Sequence, residues 1–345
     1  MKGLLKELVE TPGVSGQESE IRDKIRGEVE EYADSVEVDN MGNLIVRKGG
    51  GDKTLMVAAH MDQIGLAVKR IDENGFIKFT FVGGVTLQSL MNQRVTIHTE
   101  EGKVTGVIGM KPLHLMDKDK REELPEKEQL FIDIGAEDDE EVEEAGVKVG
   151  DTVTFEREAA ELRDDLVTGK SMDNRVGCLV GIEALKKYEG KEELAVVFST
   201  QEEVGLKGAK TSTFRVEPDV ALAVDVSIAG DVPGVEPDES ELELGGGVDI
   251  QMIQSSGRGL ITPETVRNWL IETAEEGDHE FSRGIIEGGA TDAAGIELVK
   301  EGIPTGSVGV PLRNMHSATE VVKMADIKAS VDFIVDAAEN FPDYF

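Results

Sequence analysis

"LAVVFSTQEEVGLKGA", Leu194 to Ala209, carries five apolar residues into a polar turn where two glutamates stand side by side. An apolar run of that length, bounded by turn residues, reads as a buried strand. Glu202 and Glu203 lie just past its carboxyl end, where neighbouring residues of extended chain point to opposite sides. Two carboxylates so placed can take different tasks, or they can form a charged pair in a solvated loop. The rest of the chain bears on the choice. "KTLMVAAH" ends on His60 and "DVALAVDV" ends on Asp225 or just beyond it. Helical patterns follow in "DNRVGCLVGIEALKKY", "TPETVRNWLIETAEE" and "DIKASVDFIVDAAENF". Strands alternating with helices mark an α/β fold. In open α/β sheets, ligands collect outside the carboxyl ends of the strands.

Beyond Ile64 the texture changes. "LAVKRIDENGFIKFTFVGG" and "QRVTIHTEEGKVTGVIGM" read as hairpins turning at Asn74-Gly75 and Glu101-Gly102. "LFIDIGA" and "DTVTFE" add short strands around the acidic, helix-like "DDEEVEEAG", and the charged "MDKDKREELPEKEQ" reads as a solvated loop. The expected organisation is therefore a small β-rich unit, residues 63–159, inserted into an α/β domain built from 1–62 and 160–345. Phe76, Phe79 and Phe81 of that unit either pack inside it or need a partner surface. Two helix starts are expected from local signals. Ser15 with Glu18 forms a capping box, and Thr262 caps a helix whose first residue is Pro263.

Seventy acidic residues against 36 Lys and Arg leave a net charge of −34. That balance excludes nucleic acid, whose affinity rests on cations neutralising phosphates, and an anionic membrane surface. Excess carboxylate can serve solubility alone, but its spread over the whole length also suits a saline cytoplasm where screening weakens self-repulsion. No apolar run reaches the roughly 20 residues of a membrane span. The start "MKGLLKELVETPG" lacks a signal-peptide pattern. A single cysteine, Cys178, fits a reducing compartment and the core of a helix. The chain is read as cytoplasmic.

Chemistry concentrates at strand ends. His60 begins "HMD", and a carboxylate at Asp62 could hold the second imidazole nitrogen of a metal-ligating histidine. His316 lies in "RNMHSATEVV", after the strand-like "TGSVGV". Asp173 opens an amphipathic helix, where a plain N-cap is the alternative. His98 and His279 read as structural or solvated. Two histidines, two aspartates and two glutamates match what a pair of divalent ions requires: terminal ligands, a bridging carboxylate, and a free carboxylate for the proton. Other motifs fail. "TGKS" at Thr168–Ser171 has Asp164 where a phosphate loop needs its first glycine, and no H-E-x-x-H or G-x-S-x-G occurs.

With "AAHMDQIG", "KSMDNRVG", "STQEEVGLKGA", "AVDVSIAGDVPG", "GGATDAAGI" and "NMHSATEVV" in order, the chain resembles the dinuclear metallo-aminopeptidases that include glutamyl and tetrahedral (TET) aminopeptidases. The resemblance is essentially full length, and "GVIGMKPLHL" and "LFIDIGA" resemble the family's dimerisation domain. It implies a mixed-sheet, three-layer catalytic domain with a small barrel-like insert. By motif, it implies His60 and Asp225 on one ion, Glu203 and His316 on the other, and Asp173 bridging. Glu202 would be the general base, and Asp62 would orient His60. It further implies two ions per subunit (zinc or cobalt, with manganese open), short peptides as substrates, and a dimer-based homo-oligomer of the tetrahedral, dodecameric kind. Ala290 stands where the family usually has a third glycine, and Ala318-Thr319 replace its common Pro-Val; neither change falls on a proposed ligand, and both bear on the shape of the substrate pocket. A related deacylase, carboxypeptidase or glycan hydrolase is the enzyme alternative, and a scaffold without activity is the alternative of another class.

Overall fold

A computed structural model describes residues 1–118 and 121–345; Asp119 and Lys120, in the segment expected to be a solvated loop, lie outside the described residues. Four parallel strands form the centre of a mixed sheet: Glu193–Ser199, Thr54–His60, Val220–Ile228 and Thr305–Arg313, adjacent in that order. Their registers set Ser199 beside His60 and Asp225 beside Gly309, so the chemistry-bearing residues share one edge. Almost every residue of these strands is buried, as expected for parallel strands covered on both faces.

Helices supply the two outer layers. On one face the helices Lys2–Glu10, Ser19–Val29, Met172–Lys187, Glu264–Glu276 and Met324–Asn340 close the main core over Leu55, Val57, Val196, Phe198, Leu222 and Val224. On the other, Lys207–Val216 and Asp292–Ile296 pack on Met56, Ala58, Ala195, Val197 and Ala221. Gly177 lets the helix Met172–Lys187 approach the sheet closely. A Cβ there would lie 2.7 Å from the Val224 carbonyl and 2.3 Å from Asn174 Oδ1.

Strands Gly65–Ile71, Ile77–Val82, Phe131–Asp133, Gly102–Gly109, Arg94–Thr99 and Thr152–Phe155 close into a six-stranded barrel. Alternate residues (Leu66, Val68, Ile77, Phe79, Val95, Ile97, Ile132 and Val153) fill its own core. Closure removes the exposed edges that short antiparallel strands would otherwise present. Phe79 is buried inside. Phe76 and Phe81 are half-buried, Phe76 against Phe131 at a centroid distance of 4.7 Å and Phe81 beneath Lys127.

Local signals misplace two helix caps. Ser15 does not cap a helix; its hydroxyl donates to Asp62 Oδ2 at 2.6 Å, and the helix begins at Ser19. Thr262 donates to the Gln251 carbonyl at 2.6 Å, leaving Pro263 as the N-cap position of the next helix. In both cases a tertiary acceptor outcompetes the local one. The strands Val248–Gln254 and Phe281–Ile286 carry no clear period-2 signal. The first includes Gln251 and Gln254, buried and hydrogen-bonded among polar neighbours instead of packed on apolar ones.

Candidate metal centre

The strand Thr54–His60 delivers His60 to the sheet edge, and the chain turns immediately afterwards. The imidazole Nδ1 lies 3.1 Å from the Asp62 backbone carbonyl and 3.4 Å from Asp62 Oδ1. A proton on Nδ1 satisfies both, which leaves Nε2 as the open lone pair. That Nε2 faces Asp173 Oδ1 at 3.1 Å, Asp225 Oδ1 at 3.7 Å and Glu202 Oε2 at 3.9 Å. The other oxygen of Asp173 lies 3.4 Å from His316 Nε2, which in turn is 3.7 Å from Glu203 Oε1. Asp173 thus stands between the two histidines, one oxygen toward each.

All the residues expected at strand ends converge here. His60, Glu202 and Asp225 offer ligand atoms within 4.8 Å of one another, as do His60, Asp173 and Glu203. The first group includes Glu202, so geometry alone does not separate a base from a ligand in the glutamate pair. Asp62 sits behind them, fully buried. Its Oδ1 accepts from the Glu202 amide at 3.0 Å and its Oδ2 from the Glu203 amide at 3.3 Å, fixing the loop that carries both glutamates. Asn174 holds Asp173 to the sheet by donating to the Val224 carbonyl at 2.8 Å.

The electrostatics suit cations. Burial, with repulsion among the acids, pushes Glu202 well above the carboxylate range and Glu203 up to about 8; burial likewise raises Asp225. Asp173 moves the opposite way. Burial opposes its charge, but hydrogen bonds to His316 and His60 hold it below the usual range. Burial also opposes charge on His60, yet the carboxylates around it, Glu202 foremost, lift it well above an ordinary imidazole. His316 rises to about 9, chiefly through its bond to Asp173. Carboxylates that cannot all ionise together in a buried site are stabilised by multivalent cations. No Lys or Arg lines the cleft among the described residues, so no side-chain cation takes that place. The donor set of carboxylates and imidazoles fits divalent ions.

The cleft over these residues has a volume of about 420 Å³. Ile228, Ile286, Met315 and Leu206 form its apolar walls, and Gln254 and Thr291 its polar ones. Gly84, from the barrel, is packed against His316: a Cβ there would come within 2.7 Å of Nδ1.

Two acids were not picked out by sequence reading. Glu320, buried, accepts from the Asp173 amide at 3.2 Å and from the His316 amide at 2.8 Å, one oxygen to each. Asp292, whose pKa burial pushes up to about 7, accepts from the Ser199 hydroxyl behind the site. Both lay inside quoted motifs, but neither ends an apolar run, so position gave no cue.

Residues 42–333 match the sequence profile of the family described as M42 glutamyl aminopeptidase. Among solved structures, the chain is similar to a TET aminopeptidase from the marine sediment archaeon Thaumarchaeota archaeon SCGC AB-539-E09. The identity is 33%, the TM-score 0.95, and the alignment covers 98% of this chain and 96% of that one. Aminopeptidase APDkam598 from Desulfurococcus kamchatkensis is 39% identical, with TM-score 0.94 and coverage of 98% and 94%. The TET1 peptidase of Pyrococcus horikoshii, which can assemble into a tetrahedron or a large octahedral shell, is 32% identical, with TM-score 0.88 and coverage of 98% of both chains.

Proposed function

The chain belongs to the M42 glutamyl aminopeptidase family and is a metal-dependent aminopeptidase, and from that premise we propose how its residues divide the work. His60 and Asp225 hold one divalent ion, Glu203 and His316 the other, and Asp173 lies between them. The observation that carries this division is Asp173 itself, with one oxygen toward each histidine. Zinc or cobalt is the expected occupant, with manganese also compatible with the donors. When bound, such a pair supplies Lewis acidity and a nucleophile at neutral pH.

The remaining steps fall to the protein. Glu202 receives the proton of the attacking water and returns it to the leaving amine, as its raised affinity for protons favours. Asp62 keeps His60 in the Nδ1–H tautomer and anchors the amides of both glutamates. The α/β portion, 1–62 and 160–345, is the catalytic domain, and 63–159 is a dimerisation domain that also closes one side of the cleft through Gly84. Substrates are short peptides. The chain assembles from dimers into a closed dodecameric shell, as its likeness to a shell-forming peptidase supports, and the enclosure admits peptides while excluding folded proteins. No described helix is long and apolar enough to cross a membrane. The net charge of −34 suits a cytoplasmic enzyme working in high salt.

Elemental analysis with a paired substrate assay tests the reading. Two ions per active chain are expected, with hydrolysis of aminoacyl-p-nitroanilides and none of their N-blocked forms. One ion per active chain, or equal rates on blocked substrates, would overturn it.

A further inference from the structure

Next to the end of the strand that leads to Asp173, a cavity of about 500 Å³ opens with walls from the α/β domain and the barrel. Its α/β wall includes Lys170, which follows the strand Leu166–Gly169; its barrel wall includes His98, Lys103, Thr154 and Glu156. Lys170 is only 6% exposed. No ion pair is formed by its ammonium among the described residues, and the charges that act on it most are two further cations, Arg175 and Lys103. Glu10 offsets them in part, but one of its oxygens already accepts from the Ala159 amide at 2.9 Å.

That arrangement runs against both composition and physics. The chain holds nearly twice as many acids as bases, and a buried charge ordinarily has a partner because desolvation costs several kcal/mol. Here a buried cation faces a cavity whose lining also carries Lys103, Arg94 and Arg157 against the carboxylates of Glu10, Glu156 and Glu158, so cations outnumber acids there, and Arg94 pairs with Glu156 at 3.1 Å. Lys103 reaches only a loose 3.5 Å pair with Glu20 and is half exposed. Thr154 Oγ1 is held 2.9 Å from His98 Nε2. Burial, with Lys103 and Lys170 adding to it, lowers the His98 pKa to about 4, so that ring is neutral near pH 7 and adds no charge of its own. Burial also lowers Lys170, to about 8, which still leaves it mostly charged at neutral pH.

We propose that this interdomain cavity binds a small molecule bearing an oxyanion, carboxylate or phosphate, with Lys170 as its main charge partner and Lys103 as the second. The site is separate from the metal cleft. Because its walls come from both domains, an occupant would tie the barrel to the catalytic domain at the base of the segment that carries Asp173.

Thermal unfolding and isothermal titration of the assembled, metal-loaded protein test this, with inorganic phosphate and glutamate each compared with chloride at equal ionic strength. One or both anions should raise the midpoint beyond chloride, and the arm that responds identifies the source of the oxyanion. Lys170→Met should remove that response. Lys103→Gln, at an exposed position that folding tolerates, should weaken anion affinity by about 10-fold or more, the usual loss for a hydrogen bond to a charged group. Any anion bound at the metal ions would persist in both variants, so a response unchanged by either substitution refutes the proposal. Absence of a response beyond chloride in the unsubstituted protein refutes it too. If Lys170→Met does not fold, an unaltered titration of Lys103→Gln is sufficient to refute it. Loss of assembly in Lys170→Met without any anion response would mean that a second copy supplies the partner, and would also overturn it.

Discussion

Replacing Glu320 by glutamine changes one atom and should loosen two proposed ligands together. In the native chain each carboxylate oxygen accepts one backbone amide, from Asp173 at 3.2 Å and from His316 at 2.8 Å. Burial pushes the Glu320 pKa well up, but a proton on either oxygen would face an N–H donor and break one of those bonds. A glutamine has a single acceptor. With its oxygen turned to the shorter His316 contact, its amino group meets the Asp173 amide, donor against donor. The loss is one hydrogen bond to a charged group, about 1.5–3 kcal/mol, plus weakening of the other. At about 1.4 kcal/mol per decade, that corresponds to roughly 10–100-fold in metal affinity. Losses of that order are typical when groups supporting metal ligands are removed. The assay is metal titration of the chelated protein, reading bound ions and kcat/KM at each concentration. Glu320→Gln should need more metal yet recover most of kcat at saturation, and Glu320→Ala should lose more. Metal affinity unchanged within about 2-fold in both variants would show that the two amide contacts do not position the ligands.

Glu202→Gln should retain both ions while losing about 10²–10⁴-fold in rate, the usual share of a general base, whereas Glu203→Gln should lose metal as well. Equal metal loss in the two, measured by elemental analysis, would reverse the assignment, an outcome that the closeness of Glu202 to His60 and Asp225 makes worth testing. The thermal midpoint should rise from dilute to molar salt, because screening relieves repulsion within a net charge of −34; a flat or falling trend would tie that charge to solubility alone. Light scattering should find a closed oligomer at high salt and dimers at low salt, and a monomer under both conditions would remove the size filter. His98, with its folded pKa lowered to about 4, resists protonation that the unfolded chain accepts near 6.5. Stability attributable to it is therefore full above about pH 6.5 and is lost as pH falls toward 4. The difference in urea midpoint between the native chain and His98→Gln should shrink across that window; a constant difference would show that His98 is not buried as described.

Much of the architecture was legible because it rests on short-range regularities. Apolar runs ending in His60, Ser199 and Asp225 marked the parallel strands, and Gly75 and Gly102 marked the hairpin turns that became the barrel. Some proposed ligands were legible for a related reason: polar residues that close a buried run, as His60 and Asp225 do, have few structural excuses, and α/β topology sends those ends to one place. Asp173, by contrast, reads locally as an N-cap and His316 as a loop residue, and their places in the ligand set came from the family resemblance. Other features depended on partners distant in sequence. Ser15 looks like a cap until Asp62, 47 residues away, takes its hydroxyl. Glu320 looks like an ordinary acid in "SATEVV" until the fold brings the amides of Asp173 and His316 to its two oxygens. The strand Val248–Gln254 hides its buried face because Gln251 and Gln254 are satisfied by Ser227, Ser307 and Thr291, which no local pattern connects to them. Lys170 reads in sequence as part of a failed phosphate-loop motif, and only the barrel closing over it makes it a buried cation facing a cavity. Periodicity and turn chemistry are properties of neighbours along the chain, so sequence alone determined the elements and the edge where they meet. Hydrogen-bond satisfaction and charge burial depend on what tertiary packing brings near, so the structure decided which polar groups support the site and which buried charges, Lys170 among them, form no ion pair among the described residues.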